Sequence, residues 1–441
     1  MLTRLRSLVA LFALLTLTTH ATAASQVWTV DAAGGGDFTE LSSAVAAAGE
    51  GDTLLVRSGT YGDAIVFAKS LNIVAAPDAW APLGEQPVVR GASVRGLAAG
   101  QRVYLAGLAF SGGTEEGLAL KNNAGQVWVE DCRLVGADGQ GLLAAPDFHP
   151  QGHAGARVED SDDVAFLRCE LRAGQSSQVS AWPTSAHGAG GNGLELVDVP
   201  RAVVIGCTLI GTDGGDAFSD QAATSGGAGG DGVDLANSYL VIYDCELVGG
   251  SGGNSGASFE PPLLIECADG GNAGDGIHAS VAPCTIQYGA LGFQTGTPGA
   301  PGPFGSCNPG TQGQLLEGLG SIFSDHGDVV YRASMQTLVA PGGTNLVQLE
   351  GPPNSLGFLF VSGAPAAFSI APFQGVALVS YAQGFYLPVG ALPHTQAYAV
   401  PLMPPAGTAA WLYTQLVGYD LATQTFTLGQ AHALAVLSPG V

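Results

Sequence analysis

Apolar and polar residues alternate in short runs through much of the chain, and these runs recur with nearly constant wording. Four copies read VWVEDCRLVG, VAFLRCELRAG, VVIGCTLIG and LVIYDCELVGG, and their cysteines Cys132, Cys169, Cys207 and Cys245 are spaced by 37, 38 and 38 residues. A second alternating run, led by glycine, precedes each cysteine. Alternation with a period of two is typical of β-strands. The pattern therefore predicts a repeat protein whose units each contain at least two short strands.

Length variation between the units is confined to glycine-rich stretches, of which residues 211–232 are one. Units that pair with their neighbours and vary in length at one corner favour a parallel β-solenoid. Leucine-rich repeats are the main alternative, but no helix-forming segment fills the second half of a unit. Glycine accounts for 67 of the 441 residues, which argues against a helical solenoid. We therefore expect an all-β fold, a right-handed parallel β-helix.

The two ends of the chain differ from the repeats. Residues 1–23 combine two arginines, an apolar run and the tripeptide Ala-Thr-Ala, which predicts a secretory signal peptide. The β-helix is then expected over residues 24–310, and residues 311–342 would be a linker or the last coil. Residues 343–441 contain no Lys or Arg and alternate short apolar runs with Pro/Gly turns. This last segment is predicted to form a small antiparallel β-sandwich.

The segment after the predicted signal peptide resembles a known family. Residues 27–75, which begin VWTVDAAGGGDF and contain GDT and GTY, resemble the opening of right-handed parallel β-helix proteins of the pectate lyase and pectinesterase kind, secreted bacterial proteins. The resemblance implies a strand at 27–30, a turn at 36–38, a capping helix at about 39–48, a strand at 51–56 and a turn at 59–61. The C-terminal segment resembles attachment or sorting modules of large secreted bacterial proteins.

Acidic residues outnumber Lys and Arg by 37 to 14, which gives a formal net charge of −23 at pH 7. Such a surface repels nucleic acid and anionic lipid, so we expect neither as a partner. Outside the predicted signal peptide no stretch is long and apolar enough to span a membrane. We expect a secreted protein, extracellular or at the cell surface, and the sequence leaves its oligomeric state open.

The seven cysteines divide into two groups. The four repeat cysteines are expected to stack inward as buried thiols, because neighbours in register point the same way and are poorly placed for disulfides. The other three lie in or beside loops of an exported protein, where one disulfide among them is expected. The sequence does not select the pair among Cys267, Cys284 and Cys307.

Catalytic candidates follow from the family resemblance. Related lyases need a cation and a Lys or Arg base, and Lys121 in LKNN is the plausible lysine. Asp213, Asp216 and Asp220 in GTDGGDAFSD come nearest to the paired acids of a glycoside hydrolase. The QDTL-like and DFIFG-like motifs of pectinesterases and the GHG and RIK motifs of polygalacturonases are absent.

A metal site is suggested by three copies of a glycine-rich nonapeptide, HGAGGNGLE, GGAGGDGVD and GGNAGDGIH. They resemble the calcium-binding G-G-x-G-x-D-x-U-x repeat and would place Asn192, Asp231 and Asp275 in a row on adjacent coils. Their oxygen atoms could ligate Ca²⁺. The alternative is a ladder of Asn/Asp turns in which each side chain bonds backbone and glycine supplies the conformation.

Sugar binding is predicted around SAWPTSAH, where Trp182 could stack on a sugar ring beside His187. The alternative is that this tryptophan packs a loop onto the coil. Together these features predict a non-catalytic protein that presents its loop face to a polysaccharide or a cell-surface component. A polysaccharide lyase or glycoside hydrolase acting on acidic glycans is the alternative.

Overall fold

The structure is a computed structural model of the 441-residue chain. The chain folds into two compact units. Within the described part of the chain, one unit comprises residues 28–50 and 54–327, and the other comprises residues 25–27, 51–53 and 330–438. The predicted signal peptide, Asp220, Trp182 and His187 lie outside the described residues. The structure describes residues 25–77, 86–113, 115–139, 151–177, 188–217, 225–256, 268–302, 307–318, 320–325, 327, 330–368 and 377–438.

A 22-stranded sheet forms the first unit, and its strands are short because turns interrupt each repeat. The strands are β1 (Val27–Val30), β2 (Thr53–Val56), β3 (Thr60–Tyr61), β4 (Ala64–Phe67), β5 (Leu71–Ala75), β6 (Val88–Arg90), β7 (Ala92–Arg95), β8 (Arg102–Ala106), β9 (Ala109–Ser111), β10 (Leu118–Glu130), β11 (Arg133–Val135), β12 (Ala156–Leu167), β13 (Glu170–Arg172), β14 (Leu194–Val197), β15 (Ala202–Ile205), β16 (Thr208–Ile210), β17 (Val233–Ala236), β18 (Tyr239–Val248), β19 (Ile277–Val281), β20 (Thr285–Gln294), β21 (Leu316–Glu317) and β22 (Ile322–Asp325).

These strands pair in three parallel sets, and each repeat adds one strand, or half of a long strand, to every set. Set A runs β4, β7, β10, β12, β14, β17, β19, β21. Set B runs β5, β8, β10, β12, β15, β18, β20, β22. Set C runs β3, β6, β9, β11, β13, β16, β18, β20. The predicted parallel pairing of successive repeats is therefore confirmed. The segment expected to be a linker or last coil supplies β21 and β22 to this sheet.

One continuous apolar core runs through the repeats of this unit. Buried leucine, valine and isoleucine side chains alternate with polar ones, as in β14, where Leu194 and Leu196 are buried and Glu195 is half-buried. Helix α1 (Leu41–Ala47) adds Leu41, Ala44 and others to the same core. The helix lies within the predicted range, and β1 matches its predicted bounds. Among the described residues, no helix has both the length and the apolar character that crossing a bilayer requires.

The four repeat cysteines are free and buried, as predicted. Each thiol donates to the carbonyl oxygen two residues earlier, with Sγ–O distances from 3.1 Å at Cys245 to 3.5 Å at Cys207. Burial raises the pKa of Cys132, Cys169 and Cys207 well above the ordinary thiol value. These thiols therefore stay protonated and act as small apolar groups of the core.

The remaining cysteines are only partly as expected. Cys307 is disulfide-bonded, whereas Cys284 is a free thiol buried in the core. Cys284 Sγ donates to the carbonyl oxygen of Val281 at 3.2 Å. Cys284 lies in the connection just before β20, as expected, but it is not a disulfide partner because it faces the core as a free thiol. Cys267 lies outside the described residues.

A buried ionic cluster lies on the outer face of set B. Glu130 is fully buried, accepts a hydrogen bond from the Tyr104 hydroxyl at 2.9 Å and is ion-paired with Arg168. Arg168 also donates from Nε to Asp131 Oδ1 at 2.9 Å. Burial, together with the Glu130 carboxylate, raises the pKa of Tyr104 well above its ordinary value. The arginine therefore compensates a carboxylate that has no access to water.

The second unit contains mainly antiparallel pairs. A five-stranded sheet joins β24 (Leu338–Val339), β32 (Thr425–Leu437), β31 (Ala409–Asp420), β26 (Ser355–Ser362) and β29 (Gly384–Ala391). A three-stranded sheet joins β23 (Arg332–Ser334), β25 (Thr344–Glu350) and β30 (His394–Ala399). Side chains from both sheets, including Leu349, Leu359 and Leu416, share one apolar core. The remaining elements of the second unit are β27 (Pro365–Phe368), β28 (Ala377–Val379) and a 3₁₀ turn (Tyr381–Gln383).

Candidate functional site

The glycine-rich stretches between sets C and A are ordered rather than loose. Their described parts form extended segments that hydrogen-bond to one another through the backbone, and we call them the glycine lattice. Backbone N–H groups of one segment donate to carbonyl oxygens of an earlier segment, in a chain that links Thr212, Gly230, Gly250 and Gly274 with N–O distances of 2.8 to 2.9 Å. The glycine lattice comprises residues 173–177, 188–192, 211–217, 225–231, 249–256, 268–276, 295–302 and 307–314.

The hydrogen bonds of the glycine lattice recur every third residue. A period of three is that of the polyproline II conformation, which makes no hydrogen bonds within a segment and bonds its neighbours instead. Sequence reasoning treated these stretches as loops, because segments without apolar side chains carry no hydrophobic period. Three N–H groups spaced three residues apart donate to carbonyl oxygens of the next repeat at 2.8 Å: Gly211 donates to Val248, Gly214 to Ser251 and Ala217 to Asn254.

Close backbone contact explains why glycine dominates here. A Cβ atom added at Gly230 would lie 1.9 Å from the Gly191 carbonyl oxygen, and one at Gly271 would lie 2.0 Å from that of Gly227. No side chain fits at these distances. The glycines of the nonapeptide copies therefore meet a packing requirement of the lattice, whether or not an ion binds beside them.

The predicted metal residues do form a row on adjacent repeats at the edge of the glycine lattice. Each uses one side-chain oxygen to accept the backbone N–H of the next repeat. Asn192 accepts from Asp231 at 2.7 Å, Asp231 from Asp275 at 2.6 Å, and Asp275 from Gln314 at 2.6 Å. Each side chain therefore bonds the following repeat rather than its own turn, which fixes the row.

A second row lies three residues further along the chain, on the strands of set A. The register aligns Arg157 with Glu195, Glu195 with Asp234, Asp234 with His278, and His278 with Glu317. Neighbouring strands are about 4.8 Å apart, so these groups form a regular ladder. We call both rows together the polar strip: Asn192, Asp231 and Asp275 in the first row, and Glu195, Asp234, His278 and Glu317 in the second.

Contacts tie the two rows of the polar strip together. Asn192 Nδ2 donates to Glu195 Oε1 at 3.1 Å, and Arg157 Nη1 contacts Glu195 Oε2 at 3.2 Å. His278 Nδ1 lies 3.3 Å from Asp231 Oδ2 and 3.5 Å from Asp234 Oδ1. One ligand atom from each of these last three residues lies within 4.8 Å of the other two.

Crowded carboxylates change the proton affinities in the polar strip. Burial raises the pKa of Glu195 and of Asp234. Burial, with a hydrogen bond to Glu317, raises the pKa of Asp275 to about 7. The hydrogen bond to Asp231 raises the pKa of His278 to about 9. The strip thus carries more negative charge than its neighbours neutralise, and a cation bound there would relieve the repulsion.

The catalytic candidates occupy separate structural roles. The Lys121 ammonium lies 3.6 Å from Glu159 Oε2, within set A. Asp213 accepts the N–H of Ser251 at 2.6 Å, and Asp216 accepts that of Asn254 at 2.7 Å, in the glycine lattice. Within the described part of the chain, no hydrogen bond or ion pair joins Lys121 to either aspartate.

No family model, curated protein or solved structure matches this chain. The polar strip is therefore interpreted from its own chemistry. Sequence reasoning found its first row but missed Asp234 and His278. A signal for both was present, because they occupy the ninth position of the second and third nonapeptide copies, where Glu195 ends the first.

The raised pKa of Asp275 gives a pH-dependent prediction. Since its folded-state pKa exceeds the ordinary value of 3.8, the native state favours the protonated form, and that stability is lost as pH rises through about 7. Asp275→Asn keeps the acceptor for Gln314 but removes the charge. Above pH about 7 we expect the variant to be more stable by about 1–2 kcal/mol, which allows for solvent screening.

Thermal unfolding in chelator-containing buffer, scanned from acid to alkaline pH, measures this difference. The gain should fade as the pH falls toward 3.8. Asp213→Asn is the control, because Asp213 also accepts a backbone N–H but is exposed, so the same substitution there should not raise the stability. A loss of stability in Asp275→Asn at every pH would contradict the interpretation.

Proposed function

We propose that this chain is a secreted right-handed parallel β-helix, followed by a small antiparallel β-sandwich, that binds a polysaccharide of the extracellular space or cell surface without cleaving it. The three parallel strand sets support the β-helix. Its right-handed sense follows the strong preference of parallel crossover connections. The resemblance of residues 27–75 to secreted β-helix proteins, and of the C-terminal segment to attachment modules, supports the location.

The observation that carries this proposal is the polar strip. Its groups recur about every 4.8 Å along a straight line, which suits an extended polymer better than a compact ligand. Carboxylates accept hydrogen bonds from several donors at once, and sugar hydroxyls are such donors. Glu195, with 23 % of its side chain exposed, and His278, with 37 %, are partly open to solvent. The strip can therefore contact successive sugars of one chain.

Charge selects among glycans. The formal net charge of −23 and the carboxylates of the strip disfavour a polyanion in direct contact. Neutral glycans should therefore bind without metal. Acidic glycans should need a divalent cation such as Ca²⁺ to bridge the carboxylates of the glycan and those of the polar strip. Calcium enters the proposal in this bridging role, at the oxygen atoms of Asn192, Asp231 and Asp275.

The alternative, a polysaccharide lyase or glycoside hydrolase, has less support. A lyase base must reach the substrate proton, but the Lys121 ammonium is ion-paired with Glu159. The hydrolase acids Asp213 and Asp216 are each hydrogen-bonded to backbone N–H groups. These contacts describe a scaffold better than a pair of acid and base catalysts.

Affinity electrophoresis of the full chain through gels containing neutral or acidic polysaccharides, with calcium or chelator, tests the proposal. We expect retardation by at least one neutral glycan, and retardation by acidic glycans only when calcium is present. Retardation of the double variant Glu195→Gln, Glu317→Gln should be about tenfold weaker, because the variant lacks two carboxylates that accept hydrogen bonds from sugar hydroxyls.

Glu246→Gln is the matched control, because Glu246 lies on set C and bonds the exposed Gln294. Its retardation should equal that of the wild type. Absence of retardation by every glycan, or equal retardation of the double variant, would overturn binding along the strip. Release of reducing or unsaturated ends from the same glycans would replace it with the enzymatic alternative.

A further inference from the structure

Three side chains of the polar strip approach one another closely enough to hold a metal ion. His278 Nδ1 lies 3.3 Å from Asp231 Oδ2 and 3.5 Å from Asp234 Oδ1. Zn²⁺ binds nitrogen and oxygen ligands at about 2.0–2.2 Å, so two ligands at the corners of a tetrahedron lie about 3.3–3.6 Å apart. Both contacts of the imidazole nitrogen therefore match edges of a tetrahedral site.

The fold holds these ligands in place. Asp231 is fixed because its Oδ1 atom accepts the Asp275 N–H at 2.6 Å, which leaves Oδ2 for another partner. Asp234 and His278 face each other in register on the adjacent strands β17 and β19. A ligand whose second atom is hydrogen-bonded keeps its orientation, as is common around bound metals.

Asp234 supplies an independent observation. Its Oδ1 atom is shielded from solvent, yet this atom accepts no hydrogen bond from the part of the chain that the structure describes. Buried polar atoms in proteins nearly always have a partner, and a bound ion or a bound water is among the few explanations for an exception. The contact with His278 at 3.5 Å is an ion pair rather than a hydrogen bond.

We propose that Asp231, Asp234 and His278 form a binding site for a transition metal ion of the Zn²⁺ class. One imidazole and two carboxylates suit this class, whereas Ca²⁺ takes six to eight oxygen ligands and has no preference for imidazole. Three protein ligands leave a fourth position open to water or an incoming oxygen ligand. The site does not depend on glycan binding, and it differs from the all-oxygen calcium row because it replaces Asn192 and Asp275 with Asp234 and His278.

Isothermal titration of the chelator-stripped full chain with ZnCl₂, and separately with CaCl₂, tests the site. We expect one saturable Zn²⁺ per chain at these residues and weaker Ca²⁺ binding. His278→Gln and Asp234→Asn should each weaken Zn²⁺ binding by about tenfold or more. His394→Gln is the control, because His394 is also partly exposed but belongs to the other unit, and it should leave the affinity unchanged.

Cobalt gives a readout that needs no variant. Co²⁺ in a tetrahedral site absorbs visible light much more strongly than octahedral Co²⁺ in water, so the wild type should develop intense bands that Zn²⁺ abolishes. Failure to bind Zn²⁺ saturably would overturn the proposal. A Zn²⁺ affinity in both ligand variants equal to that of the wild type would also overturn it, because the ion would then bind elsewhere. Loss of glycan binding alone would overturn only the proposed function, since these titrations contain no glycan.

Discussion

Gly230→Ala is expected to be among the most destabilising single-methyl changes in this protein. The new Cβ atom would lie 1.9 Å from the Gly191 carbonyl oxygen, inside the glycine lattice. Because backbone rather than a movable side chain occupies that space, neighbouring segments must separate and lose hydrogen bonds. Overpacking typically costs about 1–3 kcal/mol, and we expect the upper end of this range or more. The midpoint of urea-induced unfolding measures the loss.

Gly62→Ala provides the matched control for this substitution. Among the residues that the structure describes, nothing lies within 4 Å of a Cβ atom at Gly62, so the same added methyl group should leave the midpoint unchanged or raise it slightly. Equal effects of the two substitutions would mean that the lattice is loosely packed. A normal midpoint for Gly230→Ala would contradict the backbone contacts described above.

Arg168→Met is expected to destabilise the protein by about 3–5 kcal/mol, because it leaves the Glu130 carboxylate buried without the compensating guanidinium. Methionine preserves much of the apolar stem, so the loss reflects charge more than packing. Urea-induced unfolding at neutral pH gives the difference in the free energy of unfolding. The double variant Glu130→Gln, Arg168→Met should recover part of the loss, since the remaining carboxylate, that of Asp131, is partly exposed to solvent.

Arg133→Met tests whether burial is the cause. Arg133 contacts Glu170 at 3.3 Å, but 34 % of its side chain is exposed, and pairs of this kind contribute about 1 kcal/mol or less. The control should therefore be much milder than Arg168→Met. Similar losses in the two variants, or no recovery in the double variant, would show that Glu130 is not the charge that Arg168 compensates.

The strand pattern was predictable from sequence because alternation reports directly on burial. Leu194 and Leu196 enter the core while Glu195 does not, and the same order recurs in the neighbouring strand β17. The inward cysteines followed from the same argument. Helix α1 and strand β1 could be placed from the family resemblance, which supplies local order that alternation does not.

The polar strip could be predicted only in part. The row of Asn192, Asp231 and Asp275 follows from aligned motifs, but the contact of His278 with Asp234 depends on strand register across 44 residues. The intervening glycine lattice sets that register, and glycine carries no pattern of burial. Lys121, Asp213 and Asp216 were selected by residue type, and their actual partners are neighbours that sequence cannot rank.

The threefold period of the glycine lattice also constrains how this chain can evolve. Since every third N–H bonds the next repeat, an insertion or deletion of one or two residues would shift all later donors out of step. A change of three residues would lengthen a segment by one turn and restore the match. Inherited length changes inside a hydrogen-bonded segment should therefore be tolerated mainly in multiples of three. Changes between segments are free of this limit, since the interval from Asp231 to Asp275 is 44 residues and that from Asn192 to Asp231 is 39, yet both pairs keep the same bond.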